Sequence, residues 1–301
     1  MDFFSEKYIK NLLKKYQILP KKRFGQNFLI NKKVLKQIIE AASLKEKDII
    51  LEIGPGIGNL TQELAKRVKK VIAVEKDKIM VEVLRETVKY FKNIRIIQGD
   101  ILKLNAKYKI PNTKYKVVAN LPYYITSPVI RMFLGAKNPP GEMVLMVQKE
   151  VAQRIVAQPP NMTRSTSSGS SRAGRGMNLL AISVQFYAKP EIISFVSKKS
   201  FWPSPKVDSA IIKITPQINT NKERINTDLF FKVVKAGFSQ PRKQLINNLS
   251  RLNFSSKNLG AKDKKIKVEK WLLKNGVQPS QRAETLSISD WLRLTQTFSL
   301  A

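Results

Sequence analysis

The sequence predicts an α/β domain built on a mostly parallel sheet covered on both faces, followed by a small all-α domain. Three observations carry that expectation. Short apolar runs at 49–53, 71–74, 94–97, 115–119 and 143–147 alternate with segments of helical periodicity. Those runs are predominantly apolar, as strands covered on both faces are. Beyond Pro216 the strand-like runs stop, and apolar residues recur at helical spacing instead.

Residues 1–20 read as a basic, partly helical extension whose Leu12, Leu13, Tyr16 and Ile18 pack lightly on the body. A basic loop with two aromatics, Phe24 and Phe28, follows. Asn31 is placed to cap a helix carrying Val34, Leu35, Ile38 and Ile39 on one face. The strand Ile49–Ile53 runs into Gly54, and Asn59 or Thr61 caps the helix behind it. Val71–Val74 ends at Glu75, and Asp77 caps a helix to about Tyr90. Ile94–Ile97 ends near Asp100. Tyr115–Ala119 ends at Asn120, and Met143–Val147 leads into a helix from Lys149 to about Ala157. The stretch 161–176, rich in Ser, Gly and Arg and free of acids, reads as a flexible cationic loop within about 159–176. Further strands are expected at 181–186, 192–196 and 209–214. Helices follow around Leu229–Val234, Leu245–Leu249 and Trp271–Leu272, with a last one capped by Ser289. The expected domains are thus 21–215 and 216–301, behind the extension 1–20.

Composition narrows the chemistry. The 301 residues contain neither cysteine nor histidine, which removes disulfides, thiol nucleophiles, the commonest general base and the commonest metal ligand. No metal is expected. Lys and Arg number 55 against 22 acids, a net charge of +33 that points to a polyanionic partner, nucleic acid above all. Neither a membrane-spanning run nor a signal-peptide pattern stands out, so a cytoplasmic chain without a membrane partner is expected.

The candidate ligand site follows from the strand ends. Glu52-Ile53-Gly54-Pro55-Gly56-Ile57-Gly58 leaves one strand and opens a helix, where glycines let backbone approach a ligand. Glu75 ends the next strand, suited to a pair of ribose hydroxyls, and Asp100 ends the third, suited to an adenine amino group. The motif is neither a dinucleotide fingerprint nor a P-loop. An acidic crevice of this kind fits a ligand without phosphate and with a positive centre, S-adenosylmethionine. At the fourth strand end, Asn120-Leu121-Pro122-Tyr123 offers an amide, a stiffened turn and an aromatic ring for a planar amino-bearing base.

Gly25-Gln26-Asn27-Phe28-Leu29, Glu52 to Gly58, Glu75, Gly99-Asp100, Asn120 to Ile125 and Phe201-x-Pro203-x-Pro205-Lys206-Val207-Asp208-Ser209 together resemble the ribosomal RNA adenine N6-dimethyltransferases. The resemblance runs from about residue 20 to the C-terminus. It implies a Rossmann-like class I S-adenosylmethionine-dependent methyltransferase with a small all-α C-terminal domain that binds RNA. It further implies dimethylation of two adjacent adenines in a hairpin loop near the 3′ end of 16S rRNA, in the small ribosomal subunit or its precursor, by a monomeric enzyme. By resemblance Asn27, Leu29, Gly54, Gly56, Glu75, Asp100 and Asn120 line the cofactor site. Asn120, Leu121, Pro122 and Tyr123 hold the base, and Phe201 closes its other face. The Asn120 side-chain oxygen and either the Leu121 or the Pro122 carbonyl are the expected acceptors for the amine. Lys21, Lys22, Arg23, Arg242 and Lys243 are candidate RNA contacts. Pro241 stands where the family usually has another basic residue, in what reads as a first helical turn. Two alternatives stay open: a 23S rRNA adenine methyltransferase of the antibiotic-resistance type, and a non-catalytic RNA-binding assembly or transcription factor on the same scaffold.

Overall fold

The computed structural model describes residues 4–18, 26–103, 113–160, 176–217, 225–252 and 260–298. The chain forms two compact units, Met1–Ala152 with Ala188–Pro216, and Gln153–Tyr187 with Gln217–Ala301.

The first unit begins with α1 (Glu6–Lys15), capped by the Ser5 side chain, with Glu6 in its first turn and Lys14 and Lys15 in its last. Its apolar face is not lightly packed. Ile9, Leu12, Leu13 and Ile18 are buried in one cluster with Phe28, Ile57, Met80 and Val83. Lys15 and the Tyr16 hydroxyl both reach Glu86. Strand β1 (Phe28–Leu29) and α2 (Lys32–Ala41) follow, the latter capped by Asn31, which accepts from the Lys33 and Val34 N–H groups.

Strands β2 (Ile49–Ile53), β3 (Lys70–Glu75), β4 (Ile94–Gln98), β5 (Lys116–Asn120) and β6 (Glu142–Gln148) form the parallel part of the sheet. Helices α3 (Asn59–Ala65), α4 (Lys78–Thr87), α5 (Thr126–Leu134) and α6 (Lys149–Ile155) alternate with them. Asp77 caps α4 as expected, whereas α3 starts at Gly58, whose backbone is left-handed. Neither Asn59 nor Thr61 is a cap. Asn59 donates instead to the Leu29 carbonyl, 3.0 Å away.

Strand β7 (Ala188–Val196) is an edge of the sheet, and β9 (Ser209–Pro216) lies antiparallel between it and β6. The full order is β4-β3-β2-β5-β6-β9-β7. The chain runs outward from β2 through β3 and β4, then crosses back to pair β5 with β2 on the other side. That reversal opens a crevice at the carboxyl ends of β2 and β5. A two-residue strand β8 (Phe201–Trp202) pairs antiparallel with β1, Leu29 opposite Phe201.

The second unit has its own core. Phe230, Val233, Leu245, Leu249, Trp271, Leu272, Trp291 and Leu294 are buried there with Ile182 and Phe186. Its helices are α7 (Leu179–Gln185), α8 (Thr227–Gly237), α9 (Leu245–Leu249), α10 (Ala261–Lys274) and α11 (Ile288–Thr297). Three expectations change here. Residues 181–185 are helix rather than strand, with Phe186 as its C-cap, and the helix is started by Asn178, whose side chain accepts from the Leu180 and Ala181 N–H groups. A uniformly apolar run reads alike as buried strand or buried helix, and the Asn cap is what distinguishes them. Segment 153–187 belongs with the helices of the second unit, not with the sheet, so a single boundary near 216 does not divide the chain. The cap of α11 is Ser287, in a reciprocal capping box with Asp290, not Ser289.

Candidate active site

One cleft in the first unit, of about 1120 Å³ with its open mouth, is lined by segments 26–29, 52–57, 74–77, 99–101 and 120–125. Its walls contain Asn27, Leu29, Gly54, Gly56, Glu75, Asp100, Asn120, Leu121, Pro122 and Tyr123. Among the described residues, the lining holds four carboxyl groups (Glu52, Glu75, Asp77 and Asp100) and one lysine, Lys76. In a chain of net charge +33, this acidic lining disfavours a phosphate-bearing ligand and suits one with hydroxyls, amines and a positive centre.

Each strand end supplies one part. At β2, Gly54 and Gly56 have φ of +65° and +57°, a left-handed backbone that other L-residues adopt at a cost. A Cβ on Gly54 would stand 3.3 Å from Pro122 Cδ, so the loops after β2 and β5 touch there. At β3, Glu75 is 8% exposed. Its Oε1 accepts from the Asp77 N–H at 2.9 Å and its Oε2 from the Gly56 N–H at 3.3 Å. Burial pushes this carboxyl upward in pKa, against the pull of those N–H donors. Glu52, 1% exposed, has no hydrogen-bond partner on Oε2 among the described residues. Burial, with the nearby Glu75 charge, pushes it up to about 8. Beyond β4, burial works to raise Asp100, but the Lys76 ammonium at 2.9 Å and the Leu102 N–H hold it below the ordinary carboxylate range.

At β5 the turn is pinned on all sides. Asn120 Nδ2 donates to the Asn27 carbonyl at 3.2 Å, which leaves Oδ1 as the acceptor end of the amide. The Leu121 N–H donates to Met146 of β6, 3.2 Å away. The Pro122 carbonyl already accepts from the Ile125 N–H at 3.1 Å. Among the described residues, no donor reaches the Leu121 carbonyl. The Tyr123 hydroxyl lies 2.7 Å from Ser209 Oγ, and burial raises its pKa.

The model of the ribosomal RNA adenine dimethylase family matches residues 19–298. The chain belongs to that family. A ribosomal RNA small subunit methyltransferase A from Dehalococcoides mccartyi is 42% identical over 286 residues, 95% of this chain and 90% of the relative. Among solved structures, a dimethyladenosine transferase from Plasmodium falciparum matches with a TM-score of 0.71 at 29% identity, over 89% of this chain and 95% of its own. The 23S rRNA methyltransferase ErmE matches with a TM-score of 0.66 at 25% identity, over 90% of this chain and 99% of its own. The expected family and its Rossmann-like methyltransferase fold with a C-terminal helical domain are both borne out.

For this dimethylase-family chain, the remaining expected residues fall differently. Phe201 does not line the cleft. It is 3% exposed, packed with Leu29, Val118 and Val144, and pairs with Leu29 across the β1–β8 ribbon. Its ring packs in the core beside Leu29. Arg242 and Lys243 are exposed in the turn before α9. Pro241 sits in that same turn rather than in a helical first turn. The buried Asn248 amide holds the turn through the Gly237 and Gln240 carbonyls, at 2.6 and 3.0 Å. Lys21, Lys22, Arg23 and the loop 161–175 lie outside the described residues. Lining residues that the sequence reading did not single out include Lys76, Met80 and Ile101. Lys76 and Ile101 directly follow the two strand-end acids, a neighbourhood that would have marked them. Among the described residues no cluster suited to a metal ion occurs, and no helix is long and apolar enough to cross a membrane.

Proposed function

We propose that this protein uses S-adenosylmethionine to dimethylate N6 of two adjacent adenines in a hairpin loop near the 3′ end of 16S rRNA. It does so as a single chain in the cytoplasm, on the small ribosomal subunit or its precursor. The observation that carries the reading is the pair of acceptors at the cleft, Asn120 Oδ1 and the Leu121 carbonyl, next to the tethered ring of Tyr123.

The donor set of the cleft fits the cofactor. Glu75 offers a buried carboxylate for ribose hydroxyls, Asp100 an acceptor for an adenine amine, and the walls carry net negative charge against a cationic centre. Asn27, Leu29, Gly54, Gly56 and Asn120 complete the walls. When bound, the cofactor supplies an electrophilic methyl carbon.

The chain's own residues then act by positioning. An exocyclic adenine amine is a weak nucleophile because its lone pair is conjugated with the ring. Asn120 Oδ1 and the Leu121 carbonyl accept its two N–H groups and favour the pyramidal nitrogen, whose lone pair is freed to react. Of the two carbonyls open to this role, that of Leu121 is the better one, since Pro122 already accepts from Ile125. Tyr123 stacks on the base, an interaction of about 1–3 kcal/mol. The target base must leave its stack to enter, which favours loop adenines. No histidine or cysteine is needed, because the proton of the methylated nitrogen is acidic enough to pass to water.

Mass spectrometry of small-subunit rRNA from cells with and without the protein tests the substrate. Loss of two dimethyladenines near the 3′ end is the expected outcome, and activity confined to 23S rRNA overturns it. Asn120→Ala is expected to lower methyl transfer far more than RNA binding, and equal losses reject its role at the reacting nitrogen.

A further inference from the structure

One exposed aromatic ring at the same edge of the sheet lies outside the cleft. Phe195, next to last in β7, is 54% exposed, and the Lys149 ammonium sits 5.1 Å from its ring centroid. Lys149 begins α6 directly after β6, and its N–H donates to the Asp208 carbonyl at 3.0 Å. Asp208 Oδ1 in turn accepts the Lys198 N–H, also at 3.0 Å. The next residue, Ser209, holds the Tyr123 hydroxyl. Ring, ammonium and base clamp are therefore joined by a continuous run of short contacts along the carboxyl ends of β5, β6 and β7.

The spacing suits a strand of RNA. Strands β5, β6, β9 and β7 are consecutive neighbours, and three inter-strand steps put β7 about 14 Å from β5. Lys198 and Lys199, just beyond β7, and Lys206 before β9 are all exposed. An open ring among cations is how proteins hold unpaired nucleotides, the ring stacking a base of any identity and the cations attracting its phosphates. The surplus of 33 positive charges favours such a polyanion over an acid-poor protein surface.

We propose that Phe195 and Lys149 form an accessory nucleotide subsite that stacks an unpaired base of the strand flanking the target adenine. The proposal rests on the reading of the chain as an rRNA adenine methyltransferase. It is tested with the full chain, undermethylated small subunits as substrate, and a fluorescent hairpin RNA with two adjacent loop adenines as binding probe. Phe195→Ala is expected to raise the KM for subunits and weaken hairpin binding, each by between about fivefold and a hundredfold. Its kcat and its affinity for S-adenosylmethionine stay at the wild-type level, and Phe195→Tyr restores binding. Lys149→Gln should lower the salt dependence of hairpin binding by about one counterion. A Phe195→Ala protein within twofold of wild type in both measurements overturns the subsite alone. So does a KM defect on subunits with unchanged hairpin binding, which would mean a protein contact. A wild-type protein that neither binds the cofactor nor methylates subunits overturns the functional reading, and the subsite with it.

Discussion

Placing a methyl group on Gly54 should couple stability to catalysis at a single atom. Its φ of +65° would put alanine in the left-handed region, at a cost of about 1–2 kcal/mol. The new Cβ would lie 3.3 Å from Pro122 Cδ and 3.6 Å from Cγ, so the proline ring must yield by a few tenths of an ångström. Pro122 cannot yield alone, because Leu121 is hydrogen-bonded to β6 and Tyr123 to Ser209. The displacement therefore reaches Asn120 and Leu121. A misplacement of 1 Å can cost a hundredfold in rate, so a few tenths should cost on the order of tenfold. For a chain of this size, the backbone term alone lowers Tm by about 1.5–3 °C. Circular dichroism melting and single-turnover methylation of small subunits measure the two effects. A Gly54→Ala protein with wild-type Tm and wild-type rate would refute the close-contact argument. A lowered Tm with an unchanged rate would refute its extension to the amine acceptors.

Glu75→Ala removes the carboxylate that the Gly56 and Asp77 N–H groups orient. It should weaken S-adenosylmethionine binding by tenfold or more in calorimetry, and unchanged affinity removes Glu75 from the site. Glu52 takes up its proton more readily folded than unfolded, since burial raises it from 4.5 to about 8. Its stabilisation is thus fully present below about pH 4.5 and is lost as pH rises to 8, by at most about 1.4 kcal/mol per pH unit. Urea unfolding at pH 5, 6.5 and 8 should show Glu52→Gln gaining on the wild type as pH rises, and parallel curves would contradict the assigned burial. In the second unit, a Cβ on Gly237 would overlap Trp291 Cη2, part of a fully buried ring. Gly237→Ala should cost about 3 kcal/mol, the upper range for overpacking, and a wild-type urea midpoint by tryptophan fluorescence would show that the helices separate freely there.

The sheet was legible in the sequence because its parallel strands, covered on both faces, are predominantly apolar runs ending in glycine, acid or amide. Val71–Val74 and Met143–Val147 lie within β3 and β6. The same property hid α7, since Ala181–Val184 is buried throughout and shows no amphipathic stripe. Helix starts at Gly58 and Ser287 were missed by one to three residues because several capping residues stand close together in sequence, and backbone geometry chooses among them. The strand-end acids and the Asn120 turn were legible from position alone. Non-local pairings were not. The Lys76–Asp100 ion pair, the Tyr123–Ser209 bond and the β1–β8 ribbon that turns Phe201 inward join segments with no shared periodicity.

The chain's route through its two units has a practical consequence for dissection and for folding. After Ala152 it leaves the sheet, contributes Gln153–Tyr187 to the helical unit, returns for β7 to β9, and leaves again at Pro216. The helical unit is therefore not an appendage that a cut at 216 removes. Such a cut would strand Ile182, Phe186 and Met177 without the helices that bury them, a bare apolar surface that invites aggregation. During synthesis from the N-terminus, α7 must likewise wait for the last 85 residues before its apolar side chains are enclosed. Deletion of residues 217–301 should thus be read as damage to two regions of the sequence, and loss of activity in such a protein does not by itself assign RNA binding to the C-terminal helices.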